Sequence, residues 1–252
     1  IKEYLMKKSQ IVLNHLVFAS DRENGGQQLD MLKKVVGFGI HSAELRREYF
    51  DDIIAETPAI STYVKSENLR LFYSVPDDLF VNHRVNPKLS QYYHEASQLG
   101  VSVIKFNTGD FETLLPEDIA AIDKLLQLGI QTNIENDQTQ TSGKMHAIEK
   151  FMTAAHAADL AIGYVYDMGN WRYVGENELT AAKQLASYVR YIHVKDDKGL
   201  GDKLVTVPLN EGEIAWQEIL HILPQNVPVA IEYPTASEQT ILDGIQALKV
   251  FS

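Results

Sequence analysis

The chain has 252 residues, a formal net charge of −11, 45% hydrophobic and 23% charged residues, and no cysteine. That balance belongs to a folded domain with a large core and not to a disordered segment; it excludes disulfides, thiolate metal sites and cysteine nucleophiles, and offers no basic footprint for a nucleic-acid backbone. No apolar run approaches the ~18 residues of a spanning helix, and the opening residues IKEYLMKKSQIVLNH are too polar for a secretion signal, so the expected setting is the cytoplasm, with neither membrane nor nucleic acid as partner.

Eight short apolar, β-branched runs alternate with longer amphipathic segments: IVLNHLVF (11–18), GIHSAELR (39–46), LRLFYSV (69–75), VSVIKF (101–106), QTNIEN (131–136), AIGYVYD (161–167), VRYIHVK (189–195) and VPVAIEY (227–233). A polar marker stands near the end of each: His15, Glu44, Tyr73, Lys105, Glu135, Asp167, His193 and Glu232, recurring every 26–39 residues. Roughly 30 residues make one βα unit. Eight such units predict an α/β fold, a (β/α)8 TIM barrel forming one domain over residues 1–252. The competing doubly wound sheet favours a Gly-rich phosphate turn after its first strand, whereas that strand runs here into ASDRENGGQQLD (19–30).

The intervening segments read as helices. Pro116 occupies a first helical position, Glu117 and Asp118 fill the first turn, and Ile119, Ile122, Leu125 and Leu126 recur at helical spacing before Gly129. Ser237 is placed to cap the last helix, with Ile241, Leu242, Ile245 and Leu248 on one face.

Barrel active sites lie at the C-terminal ends of the strands. Glu135, Asp167, His193 and Glu232 stand there on strands five to eight. Side chains alternate along a strand. If each marker points into the mouth, Asn133, Val165 with Gly163, Tyr191 with Lys195, and Ala230 with Pro228 share its phase. Gly163 and Ala230 suit a crowded interior, and Pro228, lacking a ladder donor, marks a strand start. Three carboxylates and an imidazole converging on one point repel unless a positive charge sits between them. One divalent ion, Mn²⁺, Mg²⁺, Co²⁺ or Zn²⁺, suits such an oxygen-rich donor set. The plainer alternative for any one of them is a helix cap, a loop ion pair or a hydrogen-bonded rim histidine.

Other residues carry two readings each. Lys105, closing V-I-K-F, meets substrate oxygens or forms an ion pair. Glu44 and Arg46 share a phase on strand two, as a mouth ion pair or with Glu44 ordering a substrate hydroxyl. Trp171 covers the apolar face of a sugar and Arg172 meets a phosphate or carboxylate, or both pack in a loop. His41 is out of phase with Glu44, His15 is placed on the barrel floor, and His83 sits in the loop V-N-H-R-V-N-P. His94, His146, His156 and His221 fall in helices, and Asp77-Asp78 reads as a solvated loop or helix start.

The motifs I-E-N (134–136), D-M-G-N (167–170), H-V-K-D (193–196), V-P-L-N-E-G-E-I (207–214) and I-E-Y-P (231–234) resemble those of the xylose-isomerase-like barrel superfamily, the sugar phosphate isomerase/epimerase group. The resemblance runs along most of the chain and is strongest in its second half. It implies that Glu135, Asp167, His193 and Glu232 ligate one divalent metal. It also implies a metal-dependent isomerase or epimerase of a sugar, polyol or keto acid. In such enzymes the metal stabilises an enediolate, one glutamate takes a proton α to a carbonyl and the other returns it; those roles fall here to Glu135 and Glu232. Asn170 and Lys195 join Lys105, Glu44, Trp171 and Arg172 as candidate substrate contacts. Three positions depart from the group's epimerases: Asn170 replaces a frequent His, Gly199 a frequent Arg, and Asn210 the first Gly of a G-x-G-x-I loop.

The expected partner is a small carbohydrate, and self-association into a homo-oligomer stays open. A dehydratase on the same scaffold shares the first chemical step. A non-catalytic sugar-binding barrel is a further alternative. A DNA-repair endonuclease of this superfamily needs several extra metal-binding histidines and a surface that tolerates DNA, and neither is visible.

Overall fold

The β-branched and aromatic runs pair side by side as eight parallel strands: β1 Ile11–Asn14, β2 Ser42–Arg46, β3 Arg70–Val81, β4 Val101–Gly109, β5 Gln131–Glu135, β6 Ile162–Asp167, β7 Val189–Val194 and β8 Val229–Ile231. They follow the order β2-β1-β8-β7-β6-β5-β4-β3, and β2 pairs with β3 to close the ring. The computed structural model describes residues 6–251 of the chain. The main helix after each strand is, in order, α1 Gln28–Gly37, α2 Ile53–Ser66, α3 Leu89–Leu99, α4 Pro116–Leu126, α5 Met145–Ala157, α6 Glu178–Leu185, α7 Trp216–Ile222 and α8 Glu238–Lys249. This is the (β/α)8 TIM barrel, and no helix among the described residues is long and apolar enough to cross a membrane.

Local chemistry sets the helix ends. Pro116 opens α4, and the amide of Leu115 donates to Asp118 Oδ2 at 3.1 Å. Ser237 caps α8 by accepting from the amide of Thr240. Ile241, Ile245 and Leu248 of α8 are buried, while Leu242, expected on the same face, is 41% exposed.

Inside the ring, Val12, Phe72, Val103, Val165, Tyr191 and Ala230 form an apolar cluster of their own, separate from the core between strands and helices. Each of its larger side chains contributes roughly 1.5–3 kcal/mol relative to exposure. The alternation of the strands then puts Asn14, Ser74, Lys105, Asp167, His193 and Glu232 one layer higher, at the mouth. Crowding explains Gly163: a Cβ there would collide with Asn133 Oδ1 and with the stem of Arg190, which the shifted β6–β7 register brings alongside. Pro228 immediately precedes β8, and its carbonyl accepts from the amide of Ile192 at 3.1 Å.

Three expectations change. β1 stops at Asn14, because Asn14 Oδ1 accepts from the amide of Leu16 and turns the chain into a 3-10 helix, His15–Phe18. His15 is therefore not on the barrel floor; it is buried against Gln28 at 3.0 Å, and burial pushes its pKa down to about 3. Tyr73 faces outward, donating to Glu95 Oε2 at 2.8 Å. Asp77 and Asp78 form no loop or helix start: β3 continues through them to Val81, and the hydroxyl of Tyr92 holds Asp77.

Candidate active site

Glu135, Asp167 and His193 sit at the ends of β5, β6 and β7, and Glu232 directly follows β8; all four are buried, and one ligand atom from each lies within 4.8 Å of the others. His193 Nδ1 stands 2.7 Å from Glu135 Oε1, 3.1 Å from Glu232 Oε2 and 3.7 Å from Asp167 Oδ2. It aims between them and is aligned as a hydrogen bond with none; Glu135 Oε1 likewise has no hydrogen-bond partner. An unsatisfied buried polar atom costs roughly 1–3 kcal/mol. Orphan atoms of Glu135, Asp167 and His193 converging beside the carboxylate of Glu232 fit a divalent cation.

Further groups hold these side chains and their neighbours. Asp167 Oδ1 accepts from the amides of Gly169 at 3.0 Å and Asn170 at 2.9 Å, which leaves Oδ2 for the cluster. Asn136 ties β5 to β6, donating to the carbonyl of Asp167 at 2.9 Å and accepting from Tyr164 at 2.6 Å. Asn14 at 3.1 Å and Arg46 at 2.9 Å both donate to Glu232 Oε1. Asp196 accepts from the amides of Gly212 at 2.9 Å and Ile214 at 2.8 Å, joining the H-V-K-D and N-E-G-E-I segments.

Cations already share the site. Lys105 pairs with Glu135 Oε2, and Lys195 Nζ stands 2.7 Å from both Asp167 Oδ2 and Glu232 Oε2. Together with Arg46 they offset part of the repulsion that the sequence argument left wholly to a metal. Burial alone would raise the carboxyls; Lys105 and His193 outweigh it and hold Glu135 down at about 2, and His193 and Lys195 hold Glu232 well below the usual range. At Asp167 burial prevails over Lys195 and His193, and its pKa rises. Burial would lower His193, but Glu232, Glu44 and Glu135 raise it well above the ordinary imidazole value.

A cavity of about 420 Å³ opens above the cluster, lined in part by Arg46, Lys105, Glu135, Gln138, Asn170, Lys195, Thr206 and Glu232. Asn170 donates to the carbonyl of Asn136 at 2.8 Å and accepts from Gln138 at 3.0 Å. Glu44, Trp171 and Arg172 do not line it. Glu44 is buried below, against Tyr191 and His193, and does not pair with Arg46. The short helix Asn170–Tyr173 turns Trp171 into the outer core, with its ring 5.9 Å from that of Tyr166. Arg172 is held by Glu178 at 2.9 Å and Glu213 at 3.2 Å. His83 is exposed beside Asp110 and Glu112, away from the cavity.

Gly199 lies at φ +89°, at the turn between the short strands Asp196–Lys198 and Val205–Val207, where a Cβ would collide with the Lys203 carbonyl. No arginine fits that backbone without strain. The sequence reading overlooked Asn14, Asn136, Gln138 and Thr206. Asn14 was detectable by its phase with Val12; Gln138 comes from a loop and Thr206 from a three-residue strand, and neither segment carries a periodic signal.

No protein-family model and no curated protein sequence matches the chain. Its fold is similar to that of several solved structures. A xylose isomerase domain containing protein from Salmonella typhimurium LT2 superposes with TM-score 0.68 at 12% identity, over 96% of this chain and 95% of that one. The probable 3-DHS dehydratase AsbF of petrobactin synthesis, from Bacillus anthracis, gives TM-score 0.70 at 13% identity over 95% and 98%. The IOLI protein, described with a zinc atom bound, gives 0.66 at 13% identity over 95% of each chain. An L-ribulose 3-epimerase (12% identity, 94% of this chain and 86% of that one) and a family 2 AP endonuclease from Brucella melitensis (14%, 92% and 96%) both superpose with TM-score 0.64. At these identities the likeness establishes the fold alone. The chain shares the (β/α)8 barrel fold of these structures and carries a buried four-residue cluster that could hold a metal.

Proposed function

We propose that the chain is a metal-dependent isomerase or epimerase acting on a small sugar or related polyhydroxy carbonyl compound. The observation that carries this reading is the convergence of Glu135 and Glu232, from β5 and β8, on His193 Nδ1 at 2.7 Å and 3.1 Å beneath an open cavity. The ion would be held by Glu135, Asp167, His193 and Glu232, and when bound it supplies Lewis-acid polarisation of a carbonyl. The chain's own groups supply the rest. Both glutamates are held ionised by neighbouring cations, the state a general base needs. One takes the proton α to the carbonyl and the other returns it. Lys105 and Lys195 bring ammonium donors to the same floor, where they stabilise negative charge developing on substrate oxygen.

Similarity in fold to an epimerase, to IOLI and to a probable dehydratase supports an enzyme. The endonuclease alternative is disfavoured by a single histidine in the cluster and a net charge of −11. The test is proton exchange in deuterated water, with Mn²⁺-loaded protein and a panel of ketoses, aldoses and hydroxy-keto acids. Deuterium entering the α position, and lost in Glu135→Gln, is the expected result. Loss of water from the product would shift the assignment to a dehydratase. No exchange with any compound would leave a binding barrel and sink the proposal.

A further inference from the structure

Glu44 is fully buried, lies outside the cavity lining and is not one of the four clustered residues. Its side chain crosses the lumen from β2 to β7, two strands that β1 and β8 separate in the ring. There Tyr191 donates its hydroxyl to Glu44 Oε2 at 2.6 Å, and His193 Nε2 stands 2.9 Å from the same oxygen. Among the described residues His193 is the basic side chain within ion-pair distance of Glu44. A carboxylate this deep is costly unless a donor or a cation meets it. The two nitrogens of His193 thus face different surroundings: Nδ1 meets the three cluster carboxylates, and Nε2 meets Glu44 alone. The ring is also wedged edge-on against Tyr191, with centroids 4.8 Å apart and planes at 86°.

We infer that Glu44 is a positioning residue for the metal centre: it keeps the imidazole proton of His193 on Nε2, so that the Nδ1 lone pair is turned toward the ion. The inference rests on the metal-dependent reading above. In this structure the Glu44 oxygen stands off the N–H axis, and the contact is electrostatic. A carboxylate behind a metal-bound imidazole fixes the tautomer and raises ligand basicity, and its loss weakens metal binding roughly ten- to a hundredfold. Glu44 does this without touching the cavity, which distinguishes it from a substrate contact.

Zn²⁺ titration calorimetry on wild type, Glu44→Gln and Tyr191→Phe tests the assignment. Glu44→Gln keeps volume and an acceptor but loses the charge, and is expected to bind at least roughly tenfold more weakly. Tyr191→Phe removes the other donor to Glu44, and is expected to stay within about threefold of wild type, since it leaves the His193 contact intact. Equal affinity of Glu44→Gln and wild type overturns the inference, as does an equal loss in both variants, which would make the effect one of packing. Should Glu44→Gln fail to fold, ¹⁵N-histidine NMR of the zinc-loaded wild type decides: a metal-bound Nδ1 with a slowly exchanging Nε2 proton supports the assignment, and metal on Nε2 overturns it. Wild type that takes up no zinc would instead remove the metal-dependent reading itself.

Discussion

Lys195 stands with its ammonium nitrogen 2.7 Å from Glu232 Oε2 and equally close to Asp167 Oδ2, so an internal cation occupies part of the space between two candidate metal ligands. Burial disfavours that charge, but Asp167 and Glu232 raise the pKa of Lys195, and it stays protonated. An incoming ion must take these carboxylates from the lysine. Lys195→Met is therefore expected to bind Mn²⁺ more tightly, by about one pKa unit's worth of free energy or tenfold, while losing α-proton exchange. Weaker or unchanged Mn²⁺ affinity in calorimetry would show that Lys195 helps to assemble the site and does not compete for it.

His193 makes metal uptake a proton-linked event. Its raised pKa leaves the imidazole protonated at neutral pH before the ion arrives, and a ligating nitrogen must be free of its proton. The sign follows: affinity falls as pH drops, because protons compete for Nδ1, and it rises with pH until the metal-free imidazole has itself lost its proton. Calorimetry in buffers of different ionisation enthalpy should report roughly one proton released per ion at pH 7. His193→Ala should abolish that release and weaken binding more than about tenfold. Pronounced release from the alanine variant would place the linked proton elsewhere.

The eight strands were legible because apolar runs recur at the length of a βα unit, and phase along each run placed Glu135, Asp167, His193 and Glu232 at the mouth. The structure brings those four together. Phase did not help where a side chain ends its own strand. IVLNHLVF suggests His15 as marker, but Asn14 bonds the amide of Leu16, stops the strand and takes the mouth position. Pairing between strands was also hidden. Lys105 reaches Glu135 across the neighbouring strand pair β4–β5, and Glu44 reaches His193 across the lumen of the barrel. Trp171 beside D-M-G-N read equally well as a sugar platform, since nothing local says which face of a four-residue helix meets the core.

Gly163 tests the crowding at the base of the barrel. A methyl group there meets Asn133 Oδ1 and the Arg190 stem at distances no real Cβ shows. Overpacking of this kind costs about 1–3 kcal/mol, and in a chain of this size each of those lowers the melting temperature by roughly 2–4 °C. Gly163→Ala should melt several degrees below wild type. Because the strain lies layers below the candidate ligands, Zn²⁺ affinity of the folded variant should change little. A melting temperature equal to that of wild type would mean that Arg190 swings away freely.

Asp197 gives the fold a pH dependence of its own. Its Oδ1 accepts from Thr206 at 3.0 Å, while Oδ2 is buried without a hydrogen-bond partner. Burial raises its pKa from 3.8 to about 6, with Thr206 lowering it, Asp167 adding to the rise, and Lys195 and Arg172 opposing. A carboxyl raised on folding binds more protons in the native than in the unfolded state. Its contribution to stability is complete below pH 3.8, is lost as pH climbs through about 6, and is flat above. Asp197→Asn removes the buried charge, keeps the acceptor for Thr206 and supplies a donor in place of Oδ2. The variant should therefore melt above wild type at pH 8, with the gap closing as pH falls toward 5. A constant gap across that range, followed by thermal unfolding of both proteins in chelator, would show that Asp197 stays ionised in the fold and that a water or a rotated Lys195 meets its second oxygen.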